Sequence, residues 1–213
     1  MLFNMLCQAT VETIYMVGIS GLLALLFGLP LGILLFLTAN PKLHEMIYFN
    51  HSLSFLVNIV RSVPFIILLI AIIPVTRLIV GSSIGTNAAI VPLSLAAIPF
   101  LARLVEGILH ELPSGLIEAA IAMGASPAQI VWRFLLPESM PGIISCFCTT
   151  LINLIGYSAM AGAVGGGGLG DLAIRYGYQR FDSQMMLLTV IILIVLVQGL
   201  QTIGQRASQF FRR

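Results

Sequence analysis

Three glycines in the last third of the chain have the spacing of a nucleotide-binding turn. Gly165, Gly167 and Gly170 fit G-x-G-x-x-G, in which the backbone approaches a pyrophosphate closely. That chemistry requires a strand before the glycines and a helix after them. Here a long apolar segment precedes them, so we predict that these glycines let the backbone pack closely and flex. Whether the run acts as a gate or only as a mobile loop stays open.

The other residue types that could do chemistry are too few or too scattered. ATP hydrolysis of the P-loop kind needs G-x-x-x-x-G-K-[ST], whereas the single lysine of the chain follows a proline. Cys146 and Cys148 are two residues apart, which directs them to different faces of a helix and disfavours a metal site. The histidines, His44, His51 and His110, are too dispersed for a metal site or a triad. We therefore expect no catalytic residue, no metal and no cofactor in this chain.

The composition indicates that the solvent of this chain is lipid. Of its 213 residues, 59% are hydrophobic and 8% are charged, whereas soluble proteins carry roughly 25% charged residues. The mean hydropathy is +1.06. The net charge is only +2 and the basic residues are scattered, which argues against a nucleic acid partner. We predict an all-α integral membrane protein with a single domain, surrounded by the lipid bilayer.

Five apolar runs are long enough to cross about 30 Å of hydrocarbon as helices. We predict these spans at about residues 12–38, 54–76, 87–109, 142–160 and 183–204. Prolines inside the second and third spans are tolerable if neighbouring helices satisfy the freed backbone groups, which favours a packed bundle. No Lys or Arg precedes the first run, and it exceeds the apolar region of a signal peptide, so we expect it to be retained.

Lys and Arg near the span ends predict the orientation of the bundle. Seven of them fall on one side of the five spans and three on the other. The first side carries Lys42, Arg61, Arg103, Arg133, Arg206, Arg212 and Arg213, and the second carries Arg77, Arg175 and Arg180. The richer side should be cytoplasmic, with the N-terminus outside and the C-terminus inside. Residues 113–137 are then a cytoplasmic loop, and residues 161–182 are a glycine-rich extracytoplasmic loop.

The loop at 113–137 contains the start and stop signals of two short helices. Ser114 is a candidate N-cap for the first helix, and Gly124 is the residue best able to end it in the left-handed conformation. The sequence SPAQ from Ser126 then provides an N-cap, a proline at the first helical position and a capping-box glutamine. We expect the second helix to end before Pro137. Apolar side chains on this pair of helices need a partner surface, so the loop is a candidate docking site.

The loop resembles the EAA loop of ABC-importer permeases, whose pattern is EAA, three residues, G, nine residues and then I-x-L-P. The matching residues are Glu118, Ala119, Ala120, Gly124, Leu136 and Pro137. Phe134 stands where the family prefers isoleucine, which is a conservative departure. In the family this loop forms the coupling helices that seat in a cleft of the ATP-binding subunit. The resemblance implies the same ATPase-coupling role for the six matching residues.

Stretches over nearly the whole chain resemble, more narrowly, the methionine-import permeases of bacteria. They include RSVPFIILL from Arg61, PFLARLVE from Pro99, GLIEAAIAMGA from Gly115 and GYSAMAGAVGGGGLGDLAIRYGYQRF from Gly156. The resemblance implies a type I ABC importer permease fold in the bacterial inner membrane and transport of methionine, both L- and D-. It also implies a homodimer of five-helix permeases, two cytoplasmic ATPase subunits that hold ATP and Mg, and an extracytoplasmic methionine-binding lipoprotein.

Polar side chains within the spans are candidates for a substrate path, because burying them unpaired is costly. The candidates are Asn58, Arg61, Ser62, Asn153, Tyr157 and Ser158, together with Met160 as part of an apolar wall. A zwitterion with a thioether tail needs a few polar groups and a polarisable wall. For Arg61 the plainer interpretation is that it reaches the cytoplasmic surface or pairs with Glu106. For Asn153 and Tyr157 the plainer interpretation is that their side chains form hydrogen bonds between helices.

Two classes of function remain open at this point. One is an ATP-driven permease, for methionine or for another amino acid or small metabolite, and the other is an ion-coupled secondary carrier. Carriers typically contain internal repeats and charged residues at mid-depth. Five spans cannot form two equal repeats, and no predicted span has an acid at mid-depth. The sequence therefore favours the permease.

Overall fold

The computed structural model of the chain describes residues 2–41, 43 and 46–211. Lys42, His44, Arg212 and Arg213, which entered the charge and histidine arguments above, lie outside the described residues. Within those residues the chain forms helices and turns, with no strand. The all-α prediction is confirmed.

Eleven α-helices and three short π-helical turns follow one another in the described residues. The α-helices are α1 Leu2–Leu23, α2 Leu29–Ala39, α3 Ile47–Ser62, α4 Phe65–Ala71, α5 Ile73–Val80, α6 Thr86–His110, α7 Ser114–Ala122, α8 Pro127–Ile130, α9 Leu136–Gly162, α10 Gly168–Leu172 and α11 Ser183–Phe211. The π-helical turns are π1 Ala24–Gly28, π2 Val131–Leu135 and π3 Ala173–Tyr178.

Four continuous helical stretches of the described chain are long and apolar enough to cross a membrane. They are Leu2–Ala39, Thr86–His110, Pro127–Gly162 and Ser183–Phe211. A fifth candidate is the pair α3 and α4, which is bent by 99° at its break. Pro64 explains the bend, because Val63 before it is extended (φ −80°, ψ 125°) and cannot continue a helix. The stretch predicted as the second span, 54–76, is therefore a broken helix.

Two π-helical turns come shortly before a proline inside a continuous helix. π1 precedes Pro30, and π2 precedes Pro137. In π2 the N–H of Leu136 donates to the carbonyl of Val131, five residues back. This widened turn changes the hydrogen-bond register just before a residue that has no N–H to donate. The prediction that the second loop helix ends before Pro137 is therefore wrong, because the helix continues through Pro137 into α9.

The long helix α6 lies at the centre of the bundle and packs against α1, α2 and α9. Leu101 in its middle is completely buried. Two glycines of the first stretch approach it closely. A Cβ on Gly28 would lie 2.8 Å from the carbonyl oxygen of Ile98, and one on Gly32 would lie 2.5 Å from that of Ala102. The G-x-x-x-G spacing thus forms a packing seam between the first helical stretch and α6.

Candidate functional site

The loop predicted to couple to an ATPase folds as two short helices joined by a glycine corner. Gly124 follows α7 with a φ of +76°. Its N–H donates to the carbonyl of Ile121 at 2.9 Å, and the N–H of Ala125 donates to the carbonyl of Ala120 at 3.1 Å. This pair of bonds is a Schellman C-terminus, which requires the left-handed conformation that glycine adopts readily. The conformation predicted for Gly124 is confirmed.

The helix after the corner begins with a complete capping box. The hydroxyl of Ser126 accepts from the N–H of Gln129 at 3.4 Å, and the Gln129 side chain accepts from the N–H of Ser126 at 2.9 Å. The start of α7 differs from the prediction, because Pro113 and not Ser114 is the N-cap, without a side-chain hydrogen bond. The ring of Pro113 holds φ at −58° while ψ is 130°, which is a conformation that suits an N-cap.

The apolar side chains of the two helices divide into an inner and an outer face. Ile117 and Ile130 are 5% and 1% exposed and belong to the main hydrophobic core. Ile121, Met123 and Trp132 are 42%, 67% and 71% exposed. The inner face anchors the loop to the bundle, and the outer face presents large apolar side chains without cover from the described residues. We call residues 114–135, with these two faces, the knuckle.

The six residues that match the EAA pattern divide in the same way. Ala120 is fully buried, Leu136 is half-buried, and Glu118, Ala119, Gly124 and Pro137 are exposed. Buried Ala120 also supplies a carbonyl to the glycine corner. The pattern therefore combines residues that shape and anchor the knuckle with residues that a partner can contact.

The helices that carry the candidate path residues meet at the Pro64 bend. Phe65, the first residue of α4, stacks on Tyr157 of α9 with ring centroids 4.4 Å apart and an angle of 4° between the rings. Phe65 is buried and Tyr157 is half-buried. Phe65 was not identified from the sequence, although its place directly after the proline bend was a usable signal. The stack ties the bent second span to α9.

Three of the predicted path residues share one face of α9. Asn153, Tyr157 and Met160 are spaced by four and three residues, which aligns them on a helix. Asn153 is half-buried and Met160 is 47% exposed. Ser158 differs, because it is 2% exposed and its hydroxyl donates to the carbonyl of Ile155 at 2.8 Å. Its polar atom is therefore not available to a solute in this conformation.

The remaining path candidates lie at the end of α3. Asn58, Arg61 and Ser62 are exposed, and the hydroxyl of Ser62 donates to the carbonyl of Asn58 at 2.8 Å. No hydrogen bond among residues 2–41, 43 and 46–211 joins Asn58 or Arg61 to Asn153. The structure thus brings α9 to the Pro64 bend through Tyr157, but it leaves the polar groups of α3 separate from Asn153.

The acid predicted as a partner of Arg61 pairs with another arginine. Glu106 accepts from Nη1 of Arg103 at 2.7 Å, one helical turn away on α6. Nη2 of Arg103 also donates to the carbonyl of Ser54 on α3 at 3.2 Å. The predicted alternative in which Arg61 pairs with Glu106 is therefore wrong for this conformation. The two residues on α6 are close enough for the salt bridge because three positions along a helix bring side chains together.

The glycine-rich segment after α9 is largely helical, through α10 and π3. A helix and not a strand precedes it, so the structural context of a dinucleotide site is missing. The N–H of Gly168 donates to Oε2 of Glu12, and the N–H of Leu169 donates to the hydroxyl of Thr13, each at 2.9 Å. Sequence reasoning missed both α1 residues, although an acid near the start of an apolar span was a signal.

Metal-ligating side chains do not cluster in the part of the chain that the structure describes. No group of three or more His, Cys, Asp or Glu residues there could hold a metal ion. Cys146 is buried and Cys148 is half-buried, both as free thiols on α9. The candidate functional features of the bundle are the knuckle, the face of α9 that carries Asn153, Tyr157 and Met160, and the glycine-rich segment after α9.

Comparison with curated proteins shows close relatives over almost the whole chain. The chain is 55% identical over 201 residues to a protein of Vibrio cholerae, covering 94% of this chain and 89% of that protein. It is 47% identical over 208 residues to a protein of Haemophilus influenzae, covering 98% of each. Both relatives are named as probable D-methionine transport system permease protein MetI.

Comparison with solved structures shows the same fold. An inward-facing structure of the MetNI methionine ABC transporter superposes with a TM-score of 0.93 at 47% identity, covering 99% of this chain and 98% of that chain. A crystal structure of an amino acid ABC transporter with histidines superposes with a TM-score of 0.79 at 16% identity, covering 99% and 94%. At that lower identity the likeness concerns the fold alone.

The match to a protein family covers most of the bundle. Residues 28–208 match the family described as the binding-protein-dependent transport system inner membrane component. This range includes the knuckle, the face of α9 and the glycine-rich segment. Members of the family are transport components of the inner membrane, which agrees with the candidate spans and excludes the lone secondary carrier. The chain therefore belongs to the family of binding-protein-dependent transport system inner membrane components.

Proposed function

We propose that this chain is the permease subunit of an ATP-driven importer and forms the membrane path for methionine. The observation that carries the proposal is 47–55% identity, over nearly the whole chain, to proteins named as D-methionine transport permeases. The similarity extends over the spans as well as the knuckle, so it includes the part that meets the cargo. We propose that both stereoisomers are transported, because the relatives are named for D-methionine and the transporter of similar structure for methionine.

The chain acts with three kinds of partner in this proposal. A second copy completes the path, two ATPase subunits in the cytoplasm hold ATP and Mg, and a methionine-binding lipoprotein delivers the cargo from outside. The absence of a P-loop in the sequence supports the need for a separate ATPase. The exposed apolar side chains of α11, such as Leu187 and Val195, give a second copy or the lipid an apolar face to cover.

The orientation in this proposal has the N-terminus outside and the C-terminus inside, with five spans. The knuckle is then cytoplasmic and the glycine-rich segment is extracytoplasmic. The charge count supports this arrangement, because seven of ten Lys and Arg residues fall on the knuckle side. The pair α3 and α4 counts as one broken span, which is tolerable where the bend is covered by protein, here by the contact of Phe65 with Tyr157.

Coupling to the ATPase follows from the continuity of one helix. The stretch Pro127–Gly162 is continuous over 36 residues and joins α8 of the knuckle to α9. A push on the outer face at Trp132 therefore acts on the same continuous helix that carries Tyr157 and Met160. Glu118 and the glycine corner lie on the exposed side, where a cleft of the ATPase can hold them. We propose that ATP-driven movement reaches the path through this helix.

The proposed path combines polar groups with an apolar wall. Asn153, Tyr157 and Met160 of α9 face it, and Asn58, Arg61 and Ser62 of α3 border it just before the Pro64 bend. The half-buried ring of Tyr157, backed by Phe65, adds an aromatic surface, and a thioether sulfur makes favourable contacts with aromatic rings. Ser158 is left out of the path because its hydroxyl bonds to its own helix.

An uptake experiment tests the proposed function. The chain is reconstituted in proteoliposomes with its ATPase and its binding protein, and uptake of labelled L- and D-methionine is measured against a panel of other amino acids and a polyamine. We expect uptake that needs ATP and that unlabelled methionine competes away. Transport of another solute without transport of methionine would overturn the assignment of methionine as the substrate. Unchanged uptake after Glu118→Lys together with Gly124→Val would overturn the coupling role of the knuckle.

A further inference from the structure

A row of polar side chains lies on the exposed face of α9. Ser145, Thr149 and Asn153 are spaced by four residues, which places them one above the other on a helix. Ser145 and Thr149 are exposed, and Asn153 is half-buried. All three fall within the apolar run predicted as the fourth span, residues 142–160. The row continues towards Met160, which is part of the proposed apolar wall.

The second half of α11 carries another polar row. Gln198, Gln201 and Gln205 are exposed and are spaced by three and four residues, so they share one face of the helix. Leu187 and Ile194 lie on the same face, fourteen and seven residues before Gln201, and they are 61% and 56% exposed. One exposed face of α11 therefore changes from apolar to polar along its length.

Side-chain contacts place the two rows next to each other. The hydroxyl of Ser145 donates to Oγ of Ser208 on α11 at 3.2 Å, and the hydroxyl of Ser208 donates to the carbonyl of Pro141 on α9 at 2.9 Å. Further along, a Cβ on Gly204 would overlap the thiol of Cys148, so the two helices touch there. Because residue numbers rise along one helix and fall along the other, α9 and α11 are antiparallel.

The contact between Gly204 and Cys148 gives the depth of the amides. Gln201 lies three residues from Gly204, which is about 4.5 Å at 1.5 Å per residue. The same distance along α9 from Cys148 leads to position 151, the middle of the predicted span 142–160. Asn153 lies two residues beyond that position. These amides are therefore at the depth of the hydrocarbon and not at helix ends that project into water.

Amides at this depth need a polar partner. The hydroxyl of Thr149 donates to the carbonyl of Ser145 at 2.9 Å and is satisfied by its own helix. An amide has two donors and an acceptor, and it is costly to expose to lipid unpaired. Within the part of the chain that the structure describes, the side chains of Asn153, Gln198 and Gln201 make no hydrogen bond. Water, or a polar solute that replaces it, can satisfy them.

We infer that this surface of α9 and α11 lines the inner half of the path, where it holds water and offers hydroxyl and amide groups to the ammonium and carboxylate groups of a zwitterion. We call it the inner polar face, formed by Ser145, Thr149, Asn153, Gln198, Gln201 and Gln205. The inference rests on the proposed function, which supplies the path and its direction. None of these six side chains is charged, and neutral hydrogen bonds are weaker than charge-assisted ones, which suits release of the solute.

The test is cysteine labelling of the assembled importer in inside-out membrane vesicles. Gln201→Cys and Thr149→Cys are introduced singly in a chain whose Cys7, Cys146 and Cys148 are replaced by alanine. A membrane-impermeant methanethiosulfonate reagent is added on the cytoplasmic side. It reacts with the thiolate, which forms in water and not in lipid. We expect both introduced cysteines to be labelled.

Ile194→Cys is the matched control on the same face of α11. Its apolar surroundings should keep the thiol protonated, so we expect labelling at position 201 to be faster by roughly tenfold or more. Equal labelling rates at positions 194 and 201 would overturn the inference, because the whole face would then meet one medium. Absence of labelling at both 149 and 201 would also overturn it, and disulfide-linked dimers in that case would assign the face to a second copy.

Methionine uptake gives a second measurement that needs no replacement of the native cysteines. Gln201→Leu removes the amide at similar volume, and we expect the methionine taken up per ATP hydrolysed to fall by roughly fivefold, the effect of one lost hydrogen bond. Gln201→Asn should retain more of it. Gln209→Leu is the control, since Gln209 is exposed on the same helix beyond the predicted span 183–204. An equal loss in Gln209→Leu would contradict a role specific to the path.

The unaltered chain separates this inference from the proposed function. If it takes up no methionine while positions 149 and 201 are labelled, the proposed function is rejected and the face is still lined by water. If uptake is normal while neither position is labelled and Gln201→Leu transports normally, the inner polar face alone is rejected.

Discussion

The glycine corner of the knuckle allows a prediction in which backbone strain is the only variable. Gly124 has a φ of +76°, and no atom of the described residues lies within 4 Å of the place that a Cβ would take. Substitution there is sterically free in this chain, so its cost arises from the left-handed conformation alone. That cost is about 1–2 kcal/mol for most L residues. It is lower for Asn, whose short polar side chain tolerates this region.

A cost of this size is large enough to measure as a loss of coupling. Since about 1.4 kcal/mol corresponds to a factor of ten, Gly124→Ala should reduce the equilibrium constant that favours the native corner by roughly five- to thirtyfold. Gly124→Val should reduce it further, because a β-branched residue is a stronger outlier at positive φ. We expect coupling in the order Gly, Asn, Ala, Val, measured as binding-protein-stimulated ATPase activity and as methionine uptake in proteoliposomes.

Gly115 provides the matched control within the same loop. It lies in α7 and also has no atom of the described residues within 4 Å of a built Cβ, but it does not have a positive φ. Gly115→Ala should therefore preserve coupling. A result in which Asn at 124 is worse than Ala would refute the reasoning, because the order would then follow side-chain size and indicate a clash with the ATPase.

Three further predictions concern the packing, the cap and the ion pair. Gly32→Ala should lower the unfolding free energy by about 1–3 kcal/mol through overpacking, whereas Gly18→Ala, with open space around its Cβ, should be neutral or stabilising. Thermal unfolding in detergent compares the two variants. Equal melting temperatures would contradict the packing seam between the first helical stretch and α6. Ser126→Ala should remove about 1 kcal/mol of N-cap stabilisation and lower stimulated ATPase activity less than Gly124→Val does, while full activity would count against a role for the cap. Glu106→Gln should destabilise the bundle by about 3 kcal/mol because it leaves the mostly buried charge of Arg103 without its counter-ion; an unshifted melting temperature would show that the pair contributes little.

Local signals were sufficient for the glycine corner and the capping box of the knuckle. The glycine corner and the capping box depend on residues within six positions of one another, and their geometry follows from backbone preferences that each residue has on its own. The end of the second helix was missed because it depends on π2, where a shifted hydrogen-bond register lets the helix accept Pro137. A proline in a sequence does not say whether the preceding turn will widen to accept it.

Side-chain contacts between different helices of the bundle could not be predicted from such local signals. Hydropathy predicts that a helix crosses lipid, but it does not give the rotation of that helix about its axis, and the rotation decides which side chains meet. For this reason Glu106 was one of the two predicted environments of Arg61, while the structure pairs Glu106 with Arg103. The stack of Phe65 on Tyr157 was missed for the same reason.

The sequence by itself determined the all-α membrane character, the candidate spans and the two-helix knuckle, because apolar run length and capping chemistry act over short distances along the chain. The tertiary structure alone decided how those parts are joined. It bends the second span by 99° at Pro64, runs one helix from the knuckle to the face of α9, and brings Glu12 and Thr13 to Gly168 and Leu169, each 156 residues away. These features depend on how helices pack and rotate against one another, which is a property of the whole bundle.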